Sequence, residues 1–108
     1  MLEVNVNMIK DLGLTVEDLI LLRLIDMHSE GREEFNLSYK EILDDLPIMF
    51  HSSERSNITK LRKMLNKESV QKFVTRQIKQ QGRGKGALVT FKVNKDNLKK
   101  LNIKGIIK

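Results

Sequence analysis

A glycine-rich turn followed by an alternating apolar segment constrains the fold of this chain more than any other feature. The turn spans residues 82–86, with the sequence Gly-Arg-Gly-Lys-Gly, and apolar side chains then occupy every second position from Ala87 to Val93. This alternation is typical of a strand, which needs a partner because its backbone N–H and C=O groups must be paired. The simplest partner is the segment before the turn, residues 70–81, so we expect a long hairpin. Helical spacing within the same residues leaves a helix as the alternative there.

Residues that favour helix N-termini divide the rest of the chain into helical segments. Four N-cap candidates each precede such a segment: Thr15, Ser38, Ser53 and Asn94. We expect helices from Val16 to about Ser29, from Ser38 to Pro47, from Ser53 to about Asn66 and from Asn94 through Leu101. A short strand is expected at residues 35–37, between the first two helices.

The first helix is apolar on nearly all sides over residues 19–25. A surface helix requires only one apolar stripe. The additional apolar surface predicts that a further segment packs against this helix, either an N-terminal arm of residues 1–14 or a second copy of the chain. We favour a homodimer through this helix, because a small domain has little else with which to cover such a surface.

Charged residues are distributed unequally along the chain. Residues 1–51 contain 4 Lys or Arg and 11 Asp or Glu, a net charge of −7, whereas residues 52–108 contain 16 and 3, a net charge of +13. Between Arg55 and Lys85 there are ten basic residues and one acid, Glu68. This asymmetry indicates an electronegative partner, and nucleic acid is the first candidate because neutralising its phosphates releases counterions. A solvated, lysine-rich surface is the alternative interpretation.

Two segments of the basic half carry the candidate DNA-binding residues. The outer face of the third helix presents cations at i+3 and i+4 spacing, together with hydroxyl and amide groups suited to phosphates and base edges. The glycine turn allows its backbone to approach a groove closely, where its arginine suits a narrow minor groove. The predicted contact residues are Arg55, Ser56, Thr59, Lys60, Arg62, Lys63, Asn66, Lys67, Arg76, Lys79, Gln81, Arg83 and Lys85. Candidates for base readout are Thr59, Asn66, Arg83 and the glutamines of the hairpin.

The element order, the basic third helix and the Gly-Arg-Gly-Lys-Gly turn together resemble the winged helix-turn-helix family of DNA-binding proteins. The resemblance covers residues 15–101, between an arm of residues 1–14 and a basic tail of residues 102–108. It implies an α+β fold with three helices, a short strand, a two-stranded β-hairpin wing and a short C-terminal helix. It also implies that the third helix enters the major groove while the wing follows the backbone or the minor groove. A narrower resemblance is to the TcpK-like conjugation accessory proteins, small winged-helix proteins of plasmid transfer origins.

Residue types that most catalytic and metal sites require are absent or isolated. The chain contains no cysteine, and His28 and His51 are not in metal-ligand spacing. The glycine turn matches neither the Walker A motif nor the dinucleotide fingerprint. Asp44 and Asp45 are adjacent rather than on one face, and Tyr39 lacks the histidine cluster of a DNA-nicking enzyme. We therefore expect a non-enzymatic protein with no cofactor and no metal.

The function expected from these features is sequence-preferring binding of double-stranded DNA. The chain would act as a regulator of transcription or as a replication or plasmid-transfer accessory factor, as a homodimer and with partner proteins in a nucleoprotein complex. Neither a signal peptide nor a membrane span is expected, which predicts a cytoplasmic protein without a membrane partner. The alternatives are an RNA-binding module and a protein-interaction or oligomerisation module on the same scaffold.

Overall fold

A computed structural model of the chain describes residues 13–80 and 87–101, without the side chains of residues 79, 80, 87, 88 and 101. The described elements are, in chain order, α1 (Val16–Ser29), β1 (Glu34–Asn36), α2 (Tyr39–Asp45), α3 (Glu54–Leu65), α4 (Glu68–Gln71), β2 (Val74–Gln80), β3 (Ala87–Val93) and α5 (Lys95–Leu101). These five helices and one three-stranded antiparallel sheet form a mixed α+β fold, as predicted. Among the described residues, no helix is long and apolar enough to cross a membrane.

All four predicted N-caps begin helices, because their side chains accept hydrogen bonds from backbone N–H groups of the first turn. Each cap and the residue whose N–H it accepts are Thr15 and Asp18, Ser38 and Glu41, Ser53 and Ser56, and Asn94 and Asn97. In α1 and α2 the third helical residue also accepts from the backbone N–H of the cap, which completes a capping box. The predicted bounds of α1 are confirmed at both ends.

β2 and β3 pair as an antiparallel hairpin, which confirms the hairpin over the helical alternative for residues 74–80. Their register runs from Val74 opposite Val93 to Gln80 opposite Ala87. The expectation that the hairpin would begin near Val70 is wrong. That residue lies in α4 and is wholly buried, so its apolar side chain serves the core from a helix rather than from a strand.

β3 is the central strand of the sheet, because β1 pairs with its other edge. The predicted short strand at residues 35–37 occupies Glu34–Asn36. Phe35 lies opposite Phe91, and the two rings stack with their centroids 6.0 Å apart. Both side chains are buried, so this aromatic pair connects the first and second halves of the chain within the sheet.

One hydrophobic core fills the space between the inner face of the sheet and the helices. The fully buried side chains come from α1 to α4 and from two strands: Leu21, Leu22, Ile25, Ile42, Leu61, Leu65, Val70, Val74, Val89 and Phe91. Because helices and strands share this core, apolar burial fixes α3 and the base of the hairpin relative to each other.

The apolar residues of α1 are buried within a single chain. Leu19, Leu21, Leu22, Leu24 and Ile25 are all buried, and the large apolar side chains that α1 exposes are those near its two ends. The excess apolar surface on which the homodimer was predicted is therefore not presented by this helix. The homodimer stays a prediction, and it would need another surface.

Replacing Phe91 by alanine should lower the free energy of unfolding by about 3–5 kcal/mol, because a large cavity would remain beneath the central strand. The matched control is Thr75→Ala on the exposed face of the sheet, where the expected loss is below about 1 kcal/mol. Urea denaturation followed by circular dichroism measures both values. Equal losses for the two variants would contradict this description of the core.

Candidate nucleic-acid interface

α3 turns one side to the core and the other to solvent. Its buried residues are Leu61, Met64 and Leu65, which form an apolar stripe along one side of the helix. The opposite side, called here the basic face of α3, exposes five of the predicted contact residues: Arg55, Ser56, Thr59, Arg62 and Lys63. Asn66, a further predicted contact, is exposed at the C-cap of the same helix. Apolar burial on one side therefore presents the polar and cationic residues together on the other.

The basic face carries exposed cations. No acidic group of the described residues lies within ion-pair distance of Arg55, Arg62 or Lys63. Glu54, in the first turn, is the one acid within α3 itself. The face therefore has an excess of positive charge in contact with solvent, where a polyanion can reach it.

Lys60 lies on α3, but its ammonium group reaches α1. Nζ lies 2.9 Å from Glu17 Oε2 and donates to the carbonyl oxygen of Met49, also at 2.9 Å. The same ammonium group lies 5.5 Å from the centroid of the Phe50 ring. Lys60 therefore joins α3 to the first turn of α1 and to the loop between α2 and α3.

Lys67 forms a second bridge to α1, with a carboxylate that is buried. Asp18 is 1% exposed, and its Oδ2 accepts from Lys67 Nζ and from Thr15 N. The other oxygen, Oδ1, has no hydrogen-bond partner within the described part of the chain. A buried carboxylate is costly without a cation, so Lys67 stabilises the fold. Of the predicted contact residues Lys60, Lys63 and Lys67, Lys63 alone has no ion pair with α1.

Arg76 connects the hairpin to two helices. Its Nε donates to the hydroxyl oxygen of Tyr39 at 2.6 Å, and its Nη2 donates to Asn66 Oδ1 at 3.1 Å. Its guanidinium carbon also lies 6.0 Å from the centroid of the Tyr39 ring. Two predicted contact residues, Arg76 and Asn66, are thus hydrogen-bonded to each other. Tyr39 is a site residue that the sequence did not reveal, because no local motif relates positions 39 and 76.

The hairpin extends beyond the core. Val74 is buried, whereas Ile78 is 43% exposed although it lies on the same face of β2. Lys79 follows in β2, opposite Leu88 of β3. The remaining predicted contacts, Gln81, Arg83 and Lys85, lie outside the described residues and stay predictions.

The two histidines lie in different segments of the fold. His28 Nε2 lies 3.0 Å from Asp45 Oδ2, a contact that joins the C-terminal ends of α1 and α2. His51 is exposed in the loop before α3. Within residues 13–80 and 87–101, no group of three or more His, Asp or Glu residues is placed to hold a metal ion.

Comparisons of the chain with protein-family models, with curated proteins and with solved structures found no match.

Replacing Lys67 by methionine should lower the free energy of unfolding by about 1–3 kcal/mol, because the Asp18 carboxylate would stay buried without its cation. The comparison is Lys60→Met, whose pair with Glu17 is exposed at both ends and should contribute less than about 1 kcal/mol. Urea denaturation of the two variants tests the difference. A larger loss of unfolding free energy in Lys60→Met than in Lys67→Met would contradict the conclusion that the buried pair stabilises the fold more than the exposed pair.

Replacing Tyr39 by phenylalanine should lower the free energy of unfolding by about 1 kcal/mol, because Arg76 Nε would lose its acceptor. A double-mutant cycle with Arg76→Gln should give a coupling energy of about 0.5–1.5 kcal/mol between the two positions. Thermal or urea unfolding of the four proteins provides this value. Strict additivity would show that the contact does not connect the hairpin to α2.

Proposed function

We propose that this protein is a non-enzymatic, sequence-preferring DNA-binding protein that contacts duplex DNA through α3 and the β2–β3 hairpin. The observation that carries the proposal is the basic face of α3, where Arg55, Arg62 and Lys63 are exposed and unpaired with any acid of the described residues. A DNA duplex carries about one negative charge per 1.7 Å of its axis. Contact between such a polyanion and the basic face releases condensed counterions, which favours binding to any sequence.

The winged helix-turn-helix arrangement is the specific form of the fold that we infer. The order helix, strand, helix, helix, four-residue helix, hairpin, helix supports it, as does the pairing of β1 with the hairpin strand β3. The 12-residue α3 is about 18 Å long and matches a major groove about 12 Å wide. The Arg76–Asn66 hydrogen bond holds the base of the hairpin beside the C-terminal end of α3. Helix and hairpin would therefore contact the same duplex.

The positions of the aromatic residues favour duplex over single-stranded nucleic acid. The chain has four phenylalanines and one tyrosine, and all five lie in described segments. Phe35, Phe50, Phe73 and Phe91 are buried, and Tyr39 is half-buried with its hydroxyl bonded to Arg76. Proteins that bind single strands stack bases on exposed aromatic rings. None of these five rings is free for that purpose.

The biological role that we infer is regulation of transcription, or assistance to replication or plasmid transfer, in the cytoplasm. The resemblance to TcpK-like conjugation accessory proteins favours transfer origins as target sites. A homodimer on DNA would require repeated or palindromic half-sites, because two-fold symmetry of the protein is mirrored in its site. Other proteins of a nucleoprotein complex would be further partners.

Replacing Lys63 by glutamine should weaken binding to a random-sequence duplex about fivefold and lower the magnitude of the salt slope by about 1, because one phosphate contact is lost. The control Lys99→Gln removes the same charge from an exposed position on α5 and should change affinity by less than about twofold. Fluorescence anisotropy titrations between about 50 and 200 mM salt give both quantities.

Wild-type affinity in both Lys63→Gln and Arg83→Gln would contradict the assignment of α3 and the glycine turn as the interface. Competition with duplex RNA and single strands separates the remaining candidates, since a preference for either would favour an RNA-binding module. Weak binding to every duplex with a shallow salt slope would favour a protein-interaction module. Selection from random sequences, followed by a footprint on the selected site, measures sequence preference.

A further inference from the structure

The two lysine bridges to α1 differ in how much water reaches them. In the Lys67–Asp18 pair the carboxylate is 1% exposed, so separation of the pair would leave a buried charge without a cation. In the Lys60–Glu17 pair the side chains are 40% and 49% exposed. Water can solvate both groups of this second pair when they separate, so the pair is open to exchange with another anion.

Lys60 belongs to the same surface as the unpaired cations of α3. It lines one shallow concavity together with Arg55, Ser56, Thr59, Lys63 and Lys67. Along the helix it lies one turn from Ser56 and Lys63, the neighbours that i+3 and i+4 spacing brings together. An anion that occupies the concavity therefore lies beside Lys60, whose ammonium group is 2.9 Å from Glu17 Oε2.

The interaction free energies of Lys60 with its two possible partners, the Glu17 carboxylate and a phosphate, are similar. An exposed ion pair contributes about 0–1 kcal/mol, which an incoming phosphate can match. The Glu17 carboxylate also repels a phosphate that lies within the Debye length, about 10 Å at 0.1 M salt. While it is paired with Glu17, Lys60 contributes less free energy to binding of a polyanion than an unpaired lysine would.

We propose that Glu17 is an internal competitor of DNA phosphate for Lys60 and thereby lowers the affinity of the interface for duplex DNA. The inference rests on the proposed function, since it concerns the same face of α3. Glu17 is an affinity-determining residue that touches no base: its carboxylate occupies the position of a backbone phosphate. Removing its charge leaves Lys60 with the Met49 carbonyl as an acceptor and with further N–H donors for one more phosphate contact.

The experiment compares Glu17→Gln with Glu30→Gln in full-length protein, using a random-sequence DNA duplex as the probe. Glu30 follows the last residue of the same helix and is exposed, so the control removes an equal charge about 20 Å away. Glu17→Gln should raise affinity about threefold or more and steepen the salt slope by about 0.9. Glu30→Gln should change affinity by less than about twofold.

The same substitutions in Lys60→Gln protein test whether Glu17 acts through Lys60. In Lys60→Gln protein, Glu17→Gln should raise affinity less than it does in the wild-type background, because the lysine that it frees is gone and only the repulsion between Glu17 and phosphate is removed. A gain as large in this background as in the wild-type background would overturn the inference, since Glu17 would then act by general repulsion alone. Urea denaturation of Glu17→Gln should show a stability change below about 1 kcal/mol, so that altered affinity is not a result of unfolding.

The remaining outcomes separate this inference from the proposed function. Equal affinities of wild-type protein and Glu17→Gln, with measurable binding by both, would overturn the role of Glu17 and leave the DNA-binding proposal standing. No binding by wild-type protein or by Glu17→Gln, even at low salt, would overturn both.

Discussion

Strand β3 joins the two halves of the chain, and the burial of Phe91 at its centre is the interaction on which the other contacts depend. β1, from the acidic half, pairs with one edge of β3, and β2, from the basic half, pairs with the other. The Phe91 ring stacks on Phe35 and is wholly buried in a core shared with α1 to α4. This packing gives α3 its orientation, with the apolar stripe inward and the basic face outward. It also sets the base of the hairpin close enough to α3 for Arg76 to reach Asn66.

The acidic and basic halves also meet where Lys60 of α3, and Lys67 between α3 and α4, contact the first turn of α1. The positive end of the helix dipole stabilises the acids in the first turn of α1. Two of these acids also bind lysines of the basic half. The lysines therefore have different roles. Lys67 compensates a buried carboxylate, Lys60 is shared with a carboxylate in water, and Lys63 is exposed without an acidic partner among the described residues. The cationic surface open to a polyanion is smaller than the count of basic residues suggests, because Lys60 and Lys67 are paired with acids of α1.

Much of the fold was predictable because its signals are local. The N-caps act on backbone groups three residues away, and the alternation of Ala87–Val93 reflects the two faces of a single strand. α4 was not predicted, because four residues are too few to show helical periodicity and Val70 also fits the pattern of the following strand. The dimer prediction depended on apolar surface of α1 that the fold buries. The sequence of this helix alone does not show how many other elements pack around it.

The amino-acid sequence by itself determined where most helices and strands form, which side of α3 is apolar, and that positive charge accumulates after residue 52. These follow from interactions between residues a few positions apart and from simple counting. Tertiary structure decided the partner of each charged group. Lys60 and Glu17 are 43 positions apart, Lys67 and Asp18 are 49 apart, and Arg76 and Tyr39 are 37 apart. Such pairs exist because burial of the common core brings distant segments to one place, and no local pattern encodes which cation will then find an anion within reach.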